Sequence, residues 1–394
     1  MIIAMVLLAL SIEAQASSPT LHQQSHQSTQ ADATKTQTFD EIAAAAKTAW
    51  EEHRDNDAIR LSRQGLKQRP DWDTGLWYLG SIFYEQDNYR EAREELRHYL
   101  VRNPKRGVGW ALIGLCDYKL REYVHAEEDL QRALALGLEG RLELQGPVYY
   151  YSALLLNREE RFEESAAYLY HLRRKDGGLH VSVPLEIPMG LNALKCALLP
   201  EEVPANRVEL ARQTGEAVFA RFEERRDVAK SVFVQLLKQY PDEEGLHYQY
   251  GLILLADHAP EGVNQMERAM ELSPSDSAPH ISLAQYYQDV EQNDKATAQV
   301  GEALALDPDS VPAHLLKGQL LTATGDTSAG ITELESTRTM SHGDSQVLWA
   351  LMRAYHKAGR NEEAQQIVKE LGKLGEGRQP ESKLAPDSMP YPQK

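Results

Sequence analysis

The chain has 394 residues, of which 42% are hydrophobic and 26% charged, the make-up of a core-forming protein. Its formal net charge of -17 at pH 7 excludes a nucleic-acid backbone as the main partner, since that needs a concentrated basic surface. The same charge disfavours anionic membrane surfaces.

The chain opens on MIIAMVLLAL, an apolar run shorter than the ~20 residues a bilayer span needs. Ala14-Gln15-Ala16 follows as a small-x-small cleavage pattern, so residues 1–16 are expected to be an export signal, although no Lys or Arg precedes Lys35. The mature protein, periplasmic or secreted, would start near Ser17. Residues 17–38 lack aromatics and almost all aliphatics, and are expected to be a disordered linker.

From Phe39 onward the chain is periodic. Gly80 and Gly114 are 34 residues apart, as are Pro70 and Pro104, and Ala58, Ala92 and Ala126 repeat the interval. Later, Gly251, Ala284 and Gly318 are spaced by 33 and 34, as are Pro241, Pro274 and Pro308. Such a period means stacked supersecondary units. Each unit has a helical stretch with apolar residues at three- and four-residue intervals (Leu76, Leu79, Phe83), then a short polar turn. A second helical stretch with a small residue such as Ala92 follows, and Pro often closes the unit.

These residues resemble the tetratricopeptide repeat family. Leu79-Gly80, Phe83, Ala92, Leu96, Tyr99 and Pro104 match its 34-residue pattern, and so do Trp110, Gly114, Ala126, Leu130 and Ala133. Ala284, Tyr287, Ala296, Ala303 and Pro308 match again, as do Tyr355 and Ala364. Departures occur at Ser165, at Gly330 and Thr337, and at Ala46. The resemblance implies an all-α right-handed solenoid of about nine helix-turn-helix repeats. It is expected as one block over 39–178 and a second over 207–378.

Between the blocks the period breaks. In LHVSVPLEIP, apolar residues alternate from Leu179 to Ile187, which predicts an extended strip. MGLNALKCALL predicts one short helix, and four prolines crowd the region. Residues 179–206 are therefore expected to form an irregular elbow. Residues 379–394, rich in Pro and polar groups, are expected to be a disordered tail.

No nucleotide-binding, zinc-protease or serine-hydrolase motif stands in a suitable context. Cys116 and Cys196 form no metal-ligand or disulfide pattern. His247, His280 and His314 recur at spacings of 33 and 34, but helices packed about 8–10 Å apart cannot bring such a row onto one ion. They are expected to fill the packing slot that Trp110 fills. No catalytic residue, metal ligand or cofactor is assigned.

The resemblance further implies that first helices line a concave groove. By repeat register its lining would include Trp50, Trp77, Tyr84, Tyr118 and Tyr150, and later Tyr248, Trp349 and His356. Aromatic residues dominate binding hot spots. Ala43 and Lys47 stand where chaperone-binding relatives place the first groups of a carboxylate clamp, so chaperone tails are disfavoured. The resulting expectation is a non-enzymatic scaffold for an extended peptide or protein segment. A metal-dependent or carboxylate-based hydrolase, and a structural adaptor in a secretion or envelope-polymer assembly, are the alternatives.

Overall fold

A computed structural model describes residues 37–173, 184–341 and 344–377. The expected signal peptide, almost all of the linker, the tail, and Leu179, Val181 and Val183 of the expected strip lie outside these residues. Every element described is helical, and no described helix is long and apolar enough to cross a membrane.

The chain divides into two compact units, residues 1–122 and 123–394. The first contains α1 (Phe39–Glu51), α2 (Asp55–Gln68), α3 (Asp73–Glu85), α4 (Tyr89–Arg102) and α5 (Gly107–Lys119). The second begins with α6 (Tyr123–Leu136), α7 (Leu142–Arg158), α8 (Phe162–Arg173), α9 (Glu186–Ala193), α10 (Val208–Phe222) and α11 (Arg226–Gln239). It continues with α12 (Glu244–Ala256), α13 (Glu261–Leu272), α14 (Ala278–Asp289), α15 (Asn293–Leu306) and α16 (Val311–Thr324). The last three are α17 (Thr327–Met340), α18 (Ser345–Lys357) and α19 (Asn361–Gly377).

Local chemistry sets many of the boundaries. Thr38 and Glu41 form a reciprocal capping box on α1, and Asp326 and Asp344 cap α17 and α18 through their carboxylates. Pro70, Pro104, Pro241, Pro274 and Pro308 all fall in turns between hairpins, where no backbone donor is required. Inside the hairpins, the chain turns on a left-handed residue: His53, Asp87, Arg121, Glu160, Glu224, His258, Glu291, Gly325 and Gly359. In most of them the next amide donates to the carbonyl five residues earlier, as Asn88 does to Phe83 and Arg360 to Tyr355. That bond satisfies a helix-end acceptor.

Packing explains the small residues. A Cβ on Gly80 would lie 2.6 Å from Leu96 Cγ, one on Gly251 2.9 Å from Met266 Cε, and one on Gly318 2.6 Å from Leu334 Cγ. Each first helix thus approaches its partner until a buried side chain of the second helix fills the gap. Ala46 and Ala284, which replace glycine at this position, are fully buried. Consecutive first helices also touch: α1 with α3 and α3 with α5 in the first unit, then α12, α14, α16 and α18 in series in the second. Core clusters also join neighbouring hairpins, as where Tyr78 and Ile82 of α3 pack with Ile42 and Ala46 of α1, so stacking adds to stability.

The elbow departs from the sequence expectation. Leu185 has a helical backbone as the N-cap of α9 and Ile187 lies within that helix, so the described end of the strip is not extended. Pro188 sits in the first turn of α9, where its missing donor has no partner to lose. Helix α9 runs antiparallel to α10 with the backbones almost touching. A Cβ on Gly190 would fall 1.7 Å from Ala211 O, and one on Gly215 1.8 Å from Glu186 O. The helix ends like a first helix, with Lys195 left-handed and the Cys196 amide donating to Leu191 O at 2.8 Å.

Candidate functional site

The left-handed turns supply a register that the sequence period alone lacks. Trp77, Tyr150, Tyr248 and Trp349 each lie ten residues before the turn residue of their own hairpin. Trp50, Tyr84, Tyr118 and His356 each lie three residues before it. The two positions are seven residues, about two helical turns, apart and share one face of the helix.

In the first unit the aromatics pack against one another. Trp50 stacks on Tyr78 with ring centroids 5.0 Å apart, Trp77 leans on Tyr99 at 5.4 Å, and Tyr84 meets Tyr89 edge-on at 6.0 Å. Trp50, Trp77 and Tyr84 remain half-buried. Tyr118 is a correction: only 6% of it is exposed, too little to meet a partner. Its neighbour Cys116 is fully buried, and burial first, then the Asp117 charge, pushes the thiol up to about 12. Such a thiol is a poor nucleophile.

Asp117 was not singled out by sequence. It occupies the position of Phe83 one repeat earlier, has no exposed surface, and receives Arg93 at 2.5 Å and Arg97 at 3.4 Å from α4. A carboxylate can be buried there because two guanidinium groups reach it.

In the second unit, Tyr150 is half-buried against Tyr151, and burial pushes its hydroxyl up to about 12. Tyr248 is half-buried and its hydroxyl lies 3.4 Å from Ser282 Oγ. The Lys195 ammonium stands over its ring at 4.9 Å, a cation–π contact. The same ammonium bonds Asp276 and reaches Glu244 at 3.4 Å. Burial lowers the Lys195 pKa and raises that of Glu244, the two partners opposing this. The end of α9 is therefore fastened to the starts of α12 and α14. Sequence reasoning missed this cluster because its members lie 49 and 81 residues apart. At the other end of the unit, Trp349 is 52% exposed, and His356 is exposed with Nδ1 3.2 Å from Asn361 Oδ1.

The histidine row is part of the packing. Trp110 Nε1 donates to Pro104 O at 2.9 Å, and His247 and His314 place Nε2 2.8 and 2.9 Å from the equivalent Pro241 and Pro308 carbonyls. The opposite nitrogens of His247, His280 and His314 face Gln265, Gln299 and Glu333 of the second helices. Imidazole reproduces the indole bond and adds one of its own. Among the described residues no three His, Cys, Asp or Glu side chains are grouped as metal ligands.

A first helix closed on a left-handed turn, a glycine or alanine facing a second-helix side chain, and a 34-residue period recur along the chain. The fold is that of the tetratricopeptide repeat. No family model and no curated protein matches the sequence. Solved tetratricopeptide structures are similar at low identity. Yeast Tom70 is 13% identical over 85% of this chain and 85% of its own, with a TM-score of 0.38. A tetratricopeptide repeat protein from Parabacteroides merdae is 14% identical over 80% of this chain and 98% of its own, at 0.31. A complex of the TPR2AB domain of yeast Sti1 with pHSP90 is 15% identical over 82% and 98%, at 0.28. These tetratricopeptide proteins superpose too loosely to inform function.

Proposed function

We propose that the chain is a non-enzymatic scaffold that holds an extended peptide or protein segment against its first helices. The observation behind this reading is the shared register of the aromatic residues. Seven aromatics and one histidine occupy two positions on one helix face, and all but Tyr118 keep exposed surface. Large, stiff side chains repeated along a stack suit a ligand that is itself extended.

The test is capture of a partner by purified full-length protein with Trp77 and Tyr84 replaced together by Ala. Loss of capture by a variant with unchanged circular dichroism supports the reading. Unchanged capture by that folded variant overturns it.

Export belongs to the same proposal and is motivated by the apolar run and Ala14-Gln15-Ala16. Amino-terminal sequencing of protein from its native source tests it. A start near Ser17 agrees, and a retained Met1 does not.

A further inference from the structure

Charge is unevenly divided between the two helix rows from α12 to α19. Helices α16 and α18 contain no Asp or Glu, and α12 and α14 contain one each, Glu244 and Asp289. Each of their partners α13, α15, α17 and α19 contains two or more. In a chain of net charge -17, these four first helices are relieved of acid, unlike α10 with its Glu209 and Glu216.

The register orders what remains on that row. Ten residues before each turn stand Tyr248, Ile281, Leu315 and Trp349, an apolar stripe. Six residues before stand Leu252, Gln285, Gln319 and Arg353. At the α9 end of the stripe, the single Lys195 ammonium is shared by Glu244 and Asp276, leaving that end acidic. At the α18 end, Arg353, His356 and Lys357 are all exposed and no carboxylate belongs to the helix. Lys357 also donates to Thr322 O at 2.5 Å, which ties α18 to α16 without removing its charge. Asp289 on α14 is the acid of the row nearest in sequence to this end, and Gln285 donates to it at 2.9 Å.

We propose that this row binds an extended peptide segment whose carboxylate-bearing end lies on α18, against Arg353 and His356. Its apolar side chains then follow Trp349, Leu315 and Ile281 toward Tyr248. The inference rests on the peptide-binding reading and adds the ligand's chemistry and polarity. Four first helices about 10 Å apart span roughly 30 Å, which matches about nine residues of extended chain. An acidic end avoids the Glu244–Asp276 side and meets the cationic side, so the opposite placement is disfavoured by like charge at one end.

The experiment selects a displayed library of random nonapeptides on the full-length protein, on Arg353→Glu and on Trp349→Ala, each checked for unchanged helicity and melting. The expected result is enrichment of apolar peptides with Asp or Glu clustered at one end. Arg353→Glu should bind these peptides about tenfold more weakly at low salt, with the gap closing as salt screens it. Trp349→Ala should weaken acidic and neutral peptides alike. Enriched peptides with no acidic bias, or the same bias on Arg353→Glu, overturn the polarity while leaving peptide binding in place. No enrichment on the unaltered protein removes both.

Discussion

At the scale of single residues, Asp117 shows how far a repeat can be bent without breaking. Its carboxylate is fully buried where Phe83 stands in the preceding repeat, and Arg93 and Arg97 answer it from α4. Removing one partner of such a pair strands the other charge, whereas replacing the whole pair by apolar side chains can be neutral. Asp117→Ala is expected to cost about 3 kcal/mol in urea unfolding, and Asp117→Leu, which refills the space but still strands Arg93 and Arg97, most of that. An Asp117→Leu variant as stable as the unaltered protein would mean that the ion pair is irrelevant. A sequence reading passes over Asp117 because acids are abundant on helix surfaces and nothing local distinguishes a buried one. The histidine row was legible for a related reason. Its slot was already defined by Trp110, so the residue type could change while the donor to the Pro carbonyl stayed.

At the scale of elements, close approach separates two kinds of glycine. Gly80 faces the end of a flexible Leu96, while Gly190 faces backbone atoms of α10. Gly80→Ala is expected to cost about 1–2 kcal/mol, an overpacking loss partly offset by better helix propensity. Gly190→Ala should cost more, because α9 and α10 must separate; thermal melts of the two variants compare them directly. Helix α9 escaped the period because it closes on Lys195, 35 residues after Glu160 and 29 before Glu224. Of the alternating apolar residues that predict an extended strip, Leu185 and Ile187 have helical backbone.

The contact between α16 and α17 is tuned by pH. Burial pushes Glu333 up, but hydrogen bonds from His314 and Lys317 outweigh it and hold the carboxylate below its ordinary 4.5. A lowered carboxylate contributes stability above its unfolded value, and that contribution disappears as pH falls through the folded one. Glu333→Gln should therefore lose about 1 kcal/mol at pH 7 and progressively less as pH falls below 4.5, measured by urea titration across that range. A loss that does not shrink with falling pH would count against the charge.

At the scale of the whole molecule, the net charge of -17 repels itself in the compact state. Raising salt from about 0.05 to 0.5 M shortens the screening length to a few ångströms and should raise the melting temperature. An unchanged or falling melting point would show that local ion pairs outweigh the general repulsion. Because stability is assembled from neighbours, such melts need not be a single transition. Most of this architecture was readable from the period, since spacing alone determines which residues face their partners. What was not readable was which of the register positions stay accessible, because burial depends on neighbours far along the chain, as at Tyr118.

The turns within the hairpins have a consequence of their own. Eight of them, including the one after α9, place a side-chain-bearing residue in a left-handed conformation, from His53 to Glu291. Each forgoes roughly 1 kcal/mol that glycine would recover. They sit where the chain reverses, and one of them, Lys195, also stands over the Tyr248 ring. The other seven form a set of adjusters through which durability can be raised stepwise while Lys195 and the Tyr248 ring are left alone.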